Sequence, residues 1–203
     1  MEPKSDEQLL ADHIAGVQGA FDNLVARYAD EVYGFLCRFA GNKTVADDLL
    51  QETFMQVHLA ARTFDPRRSF RPWLYTIAAN KARDYMRARG RRPTYSLDAA
   101  LGNSDGNAPS QNIEADLPPL DETVEAEERR QTVRRVLDEL PEHLRLILTL
   151  GYFQQLPYAE IAQILGVPVG TVKSRLHSAV RHFAKLWQEH MADETVVERE
   201  RKA

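Results

Sequence analysis

PYAEIAQILGVPVGTVKSRLHSAVRHF, residues 157–183, reads as two short helical segments broken between Gly166 and Pro168. The first offers Ile161, Ala162 and Leu165 for packing, and Gly166 supplies a tight turn. In the second, Val172, Leu176, Ala179, Val180, Phe183 and Trp187 recur at helical spacing and form one apolar stripe. Ser174, His177, Ser178, Arg181 and Lys185 are left facing outward, all of them hydrogen-bond donors. The pair has the shape of a helix-turn-helix whose second helix would do the reading. By spacing alone it fits any helical hairpin. Charge narrows the choice, because residues 166–183 hold Lys173, Arg175 and Arg181 and no Asp or Glu, in a chain of formal net charge -4. A carboxylate there would repel phosphate.

The rest of the charge is equally partitioned. Residues 1–61 hold 4 Lys/Arg against 10 Asp/Glu, residues 62–92 hold 10 against 2, residues 93–128 hold 0 against 9, and residues 129–203 hold 12 against 9. Solvated helix faces explain short charge runs. Alternation on this scale points to separate surfaces for separate partners, the basic ones suited to phosphate.

Upstream, Phe21, Leu24, Val25, Tyr28, Val32, Phe35, Leu36 and Phe39 lie three and four apart and predict a long amphipathic helix over residues 18–40. A second helix is expected from Thr44 as N-cap, and a third from about Ser69 to Arg89, with Pro72 in its first turn. Residues 93–125 are acidic and rich in Gly, Pro, Asn, Ser and Asp, and read as a flexible linker. With an r.m.s. span of roughly 30 to 36 Å, it would let its flanking domains sit well apart. Beyond it come a helix ending before Pro141, one through HLRLILTLGYFQQL, and the opening pair; the charged C-terminal tail, residues 191–203, is expected to fray. The expected fold is all-α, with two helical domains, at residues 1–92 and 126–190.

Two further constellations stand out. In FRPWLYTIAANKARDYMRARGRR, residues 70–92, Thr76, Asn80, Arg83 and Arg87 share a face with Trp73 at its edge. Cations, an amide and an aromatic suit a single nucleic-acid strand, whereas a basic surface helix with a core tryptophan accounts for the residues as well. In DDLLQETFMQV, residues 47–57, Val45, Leu49, Thr53, Val57 and Ala60 are expected to face inward, which turns Phe54 and Met55 outward beside Asp47, Asp48 and Gln51. Exposed apolar residues among acids suggest a docking patch; Phe54 packed beneath the first helix is the plainer alternative.

Catalysis finds no support. A glycine-rich phosphate loop, a nucleophile elbow and HExxH are all missing, and the histidines are scattered. Neither a metal nor a cofactor is expected, and Cys37 is the sole cysteine. No apolar run reaches the roughly 18 to 20 residues of a membrane span and the first residues lack signal-peptide order, so a cytoplasmic protein without membrane insertion is expected.

Three segments, in this order, resemble a known family. DDLLQETFMQVHLAARTF followed by FRPWLYTIAANKARDYMRARGRR is similar to region 2 of the bacterial sigma-70 family. LPEHLRLILTLGYFQQLPYAEIAQILGVPVGTVKSRLHSAVRHF is similar to region 4. Two regions on either side of a short linker is the layout of the extracytoplasmic-function (ECF) sigma factors.

The resemblance implies a non-enzymatic transcription initiation factor. Asp47, Asp48, Gln51, Glu52 and Phe54 match the helix that docks on core RNA polymerase. Trp73, Thr76, Asn80, Arg83 and Arg87 match the part that reads and opens the minus-ten promoter element, with bases flipped from one strand. Thr171, Lys173, Ser174, Arg175, His177 and Arg181 match residues at the minus-thirty-five element. The linker resembles the segment that follows the RNA exit path, and an anti-sigma factor is the implied regulator. One departure is His177-Ser178-Ala179-Val180, which puts Ser178 where many relatives carry a cation. A stand-alone helix-turn-helix regulator and a helical RNA-binding or adaptor protein are the rival readings.

Overall fold

The first helix, α1 (Asp6–Ile14), starts at a closed capping box. The Ser5 side chain accepts the Gln8 backbone N–H at 3.2 Å, and the Gln8 side chain accepts the Ser5 N–H at 3.0 Å. Apolar spacing predicts no helix here, although Ser-x-x-Gln at residues 5–8 is the signal for one. The computed structural model describes residues 4–89 and 124–201, and every regular element among them is helical.

Helix α2 (Ala20–Ala40) buries Leu24, Tyr28, Val32, Phe35, Leu36 and Phe39, the stripe expected from its spacing. It stops at Gly41, whose φ of 69° is left-handed and whose N–H reaches the Cys37 carbonyl at 3.0 Å. Helix α3 (Lys43–Ala60) is capped by Asn42, not by Thr44: the Asn42 side chain accepts the Val45 N–H at 3.1 Å. Asn42 has the extended backbone that a cap needs, while Thr44 is already inside the helix. A short turn at Ala61–Thr63 leads to α4 (Phe70–Arg89), with Pro72 in its first turn.

The second half contains α5 (Val124–Glu139), α6 (Glu142–Leu148), α7 (Tyr158–Leu165) and α8 (Val169–Arg201). The single helix expected through residues 143–156 ends early, because after α6 the backbone widens into a π turn at Thr149–Phe153. Gln155 then takes a left-handed φ of 50°, and Pro157 forbids helical backbone just before it. Helix α7 ends at Gly166, φ 65°, whose N–H is taken by the Ala162 and Gln163 carbonyls. The fold thus contains the helix-turn-helix, with α8 second. That helix runs to Arg201, so the C-terminal segment expected to fray is helical that far.

The two helical domains touch. Helix α4 packs on α7, and the end of α2 packs on α5 and the π turn, so that one apolar core runs from Leu9 through Phe39, Tyr75 and Leu146 to Phe183. The length of the linker allows the domains to stand apart, and in this structure they meet. The acidic linker lies outside the described residues except for Val124 and Glu125, which begin α5.

Candidate nucleic-acid and protein interface

Helix α3 has a buried arc wider than the expected stripe. Leu49, Thr53 and Val57 are buried as predicted, but Phe54 is buried too, at 7% exposure, and meets Phe21 edge-on at 6.4 Å. This corrects the outward placement of Phe54. Phe21 of α2 meets both Phe54 and His58 of α3, so Phe54 takes the plainer alternative of packing beneath the helix over residues 18–40. On the outer ridge, Asp47, Asp48, Gln51 and Glu52 are exposed, followed by Met55 at 61% and Leu59 at 68%. Leu59 was missed. Asp48, Glu52, Met55 and Leu59 lie four, three and four residues apart, so they form one ridge with acids at one end and apolar side chains at the other.

On α4, Thr76, Asn80, Arg83 and Arg87 fall on one face. Thr76 donates its hydroxyl to the Pro72 carbonyl at 2.8 Å, and Asn80 is exposed, with its oxygen 3.4 Å from Arg83 Nη1. Arg87 is exposed beside Asp84, at 3.5 Å. Trp73 is half-buried against Phe64 and Phe70, with ring centroids 5.0 and 5.9 Å away, so it borders this face without standing free of the core. Arg83 differs from its neighbours. Burial lowers its pKa, Glu142 opposes that, and the nearby Arg87 and Arg175 lower it further.

On α8, Val172, Ala179 and Phe183 are buried, and Lys173, Ser174, His177 and Arg181 are exposed. Thr171 and Arg175 are half-buried. The Ser174 hydroxyl donates to the Thr171 carbonyl at 3.1 Å. Ser178 is half-buried rather than central on the outward face, so a serine there removes less from the reading surface than its wheel position suggested. Each helix therefore carries cations suited to phosphate, Arg83 and Arg87 on α4 and Lys173 and Arg181 on α8, and Arg175 lies near enough to Arg83 for its charge to act on it. Among the described residues no cluster of three or more His, Cys, Asp or Glu could hold a metal ion, and no helix is long and apolar enough to cross a membrane.

A helix-turn-helix joined to a second helical domain with a basic, tryptophan-edged helix defines a two-domain DNA-binding class of protein. Comparison with known proteins makes the class specific. Residues 24–92 match the family model Sigma-70 region 2, and residues 130–183 match Sigma-70, region 4. The chain is 36% identical over 162 residues to the ECF RNA polymerase sigma factor SigW of Bacillus subtilis, covering 80% of this chain and 86% of that one. It is 36% identical to the ECF RNA polymerase sigma-E factor of Escherichia coli K12, covering 88% and 93%. Among solved structures, CnrH in complex with the cytosolic domain of CnrY superposes with a TM-score of 0.66 at 28% identity, covering 92% of this chain and 99% of that one. The sigma factor RpoE of Bartonella quintana, in complex with the anti-sigma factor NepR, gives 0.60 at 25% identity, covering 84% and 98%. The chain belongs to the sigma-70 family and is an ECF RNA polymerase sigma factor.

Proposed function

We propose that this sigma factor directs core RNA polymerase to a subset of promoters through three surfaces, each on a different helix. The α3 ridge of Asp47, Asp48, Gln51, Glu52, Met55 and Leu59 docks on polymerase. Phe54 supports that ridge from below. The α4 face of Thr76, Asn80, Arg83 and Arg87, with Trp73 at its edge, takes one strand of the minus-ten element. Cations hold the backbone and the Asn80 amide meets a base edge. On α8, Thr171, Lys173, Ser174, Arg175, His177 and Arg181 enter the major groove at the minus-thirty-five element. The factor works in the cytoplasm, performs no catalysis itself, and is held in check by an anti-sigma factor, as the Bartonella RpoE is found in complex with the anti-sigma factor NepR. Domain limits of residues 1–92 and 126–190 follow from the same reading.

The observation that supports this most strongly is the presence of both sigma regions, in order, on a chain whose exposed α4 and α8 faces carry cations and amides. Run-off transcription with purified core polymerase tests it. Addition of the chain should create promoter-specific starts, and persistent failure to do so would leave a stand-alone DNA-binding regulator or an RNA-binding adaptor as the better account.

A further inference from the structure

Helices α3 and α4 pack against each other, and among the described residues one polar side-chain contact joins them. Lys81 Nζ of α4 donates to Glu52 Oε2 of α3 at 3.1 Å, across 29 positions of sequence. Each helix carries one of the surfaces proposed above, the polymerase ridge on α3 and the strand-taking face on α4. The pair spans both.

Glu52 stands in the ridge itself. Its side chain is 58% exposed, one helical turn beyond Asp48 and one before Met55. Within the described residues it is the one of Asp47, Asp48, Gln51 and Glu52 whose side chain is tied to a cation. A polymerase cation that meets the ridge at Glu52 therefore competes with Lys81 for the same carboxylate.

Lys81 stands beside the other surface. It follows Asn80 directly, so the two Cα atoms are about 3.8 Å apart. The cations of the strand-taking face have their partners on α4: Arg83 Nη1 lies 3.4 Å from the Asn80 oxygen, and Arg87 lies beside Asp84. Lys81 instead takes its partner from the docking helix. An ammonium on a flexible four-carbon stem imposes no planar geometry, so it turns from a carboxylate to a phosphate oxygen without any shift of the helix. An ion pair near the surface moves an equilibrium about two- to five-fold, which is weak enough to be exchanged and large enough to be measured.

We infer that Lys81 is a strand-contacting cation held in reserve by Glu52: docking of polymerase on Glu52 releases Lys81, which then takes a backbone phosphate next to the base met by Asn80. The inference rests on the sigma reading above. One ion pair is given up and two are gained, Glu52 with a polymerase cation and Lys81 with the strand. Docking and strand capture then share a contact, so each favours the other by the same factor.

Reactivity of the Lys81 amine follows the exchange directly. Acetylation by an N-hydroxysuccinimide ester, read by mass spectrometry, is compared in the free chain, in holoenzyme without DNA and in the open promoter complex. Expected is a rise of about two- to five-fold from free chain to holoenzyme, and a return to the free-chain level or below in the open complex. In the free Glu52→Gln chain the amine should react as it does in wild-type holoenzyme, with no polymerase present. Equal reactivity in the free chain and in holoenzyme overturns the inference, and so does an amine left unprotected by promoter.

The phosphate contact has a readout of its own. For open complexes of the holoenzyme, Lys81→Gln should lower the slope of log affinity against log salt by about 0.7 to 1, and Lys81→Arg should restore it. An unchanged slope in Lys81→Gln, in a holoenzyme that still makes promoter-specific starts, overturns the inference and leaves the sigma reading standing. A wild-type chain that starts no transcription with core polymerase overturns the sigma reading and this inference with it.

Discussion

Glu7 of α1 caps α4. Its Oε1 accepts the backbone N–H of Phe70, the first residue of α4, at 2.9 Å across 63 positions of sequence. A free N–H at a helix start normally takes its partner from the cap residue just before it, whereas here another helix supplies it. Burial of the Glu7 carboxyl opposes ionisation, but the Phe70 N–H and its own first-turn contacts hold its pKa below the ordinary value. The N-terminal helix therefore orders the entrance to the proposed minus-ten helix.

Replacing Glu7 should thus act at a distance. Glu7→Ala is expected to lower unfolding free energy by about 1 kcal/mol, the usual worth of a helix cap, while Glu7→Gln keeps an acceptor and loses less. Urea denaturation of both variants checks the order. Equal losses would mean that charge, not the hydrogen bond, matters.

Acid should loosen α1 through a different pair. His13 of α1 and His58 of α3 approach at 3.1 Å, nitrogen to nitrogen, with Asp22 of α2 acting on His13 and the Phe21 ring 4.6 Å from its centroid. The His13 pKa is lowered below its ordinary 6.5, first by burial and then by His58, with Asp22 opposing. The unfolded chain then takes up a proton that the folded one refuses, so this contribution is intact above about pH 6.5 and stability falls as pH drops through that value. His13→Gln should flatten the decline between pH 7 and 5 in urea titrations. A slope identical to wild type would exclude the pair as its origin.

The relocated α3 ridge separates docking from folding. Asp48→Ala and Met55→Ala, at exposed positions, should weaken polymerase association in a pull-down while changing stability by less than about 0.5 kcal/mol. Phe54→Ala should instead cost about 3–5 kcal/mol of stability, because the ring is buried against Phe21. Normal stability in Phe54→Ala would contradict its burial.

The exposed amide of Asn80 is assigned to the opened strand. Asn80→Ala should reduce permanganate reactivity of the promoter bubble more than it reduces duplex binding. Parallel losses in the two assays would place Asn80 outside strand opening.

For Arg175, proposed to meet phosphate or base at the minus-thirty-five element, Arg175→Ala should lower the salt slope of promoter binding by about 1. Its effect should vanish on a template scrambled at that element. An equal loss on the scrambled template would indicate damage to the helix instead.

Much of this fold was legible because its helices carry dense apolar stripes. Leu24, Tyr28, Val32, Phe35, Leu36 and Phe39 on α2 and Val172, Ala179 and Phe183 on α8 are buried where their spacing placed them, with Val25, Leu176 and Val180 partly so, and Gly166 forms the turn assigned to it. The errors share a cause, since a periodicity of one helix registers one neighbour and these helices often have two. Phe54 lies outside the narrow stripe of Leu49, Thr53 and Val57, yet the Phe21 ring of α2 widens the buried arc to take it in. The spacing of Leu74, Ile77, Ala78, Ala82 and Tyr85 predicts one apolar face for α4 that leaves out Tyr75 and Ala79, yet both are fully buried, since a second domain packs on this helix. The hydrogen bond from Arg145 to the Phe39 carbonyl was illegible for a related reason: it joins positions 106 residues apart, and carbonyls leave no signature in side-chain pattern. For the proposed contact residues, chemistry was legible and placement only partly so, Trp73 and Arg83 being drawn further into the core than a solitary helix would take them.

On the seam side of α4, Tyr75, Ala79, Ala82 and Met86 follow one another at intervals of four, three and four. Two are bare methyls and a third ends in a hydroxyl, so little greasy area would meet water if the surfaces parted. A seam of leucines would adhere more tightly but leave each separated half prone to clump. The bare methyls of Ala79 and Ala82 let the neighbouring helix lie close against α4, so a larger side chain at either position would push the two halves of the core apart.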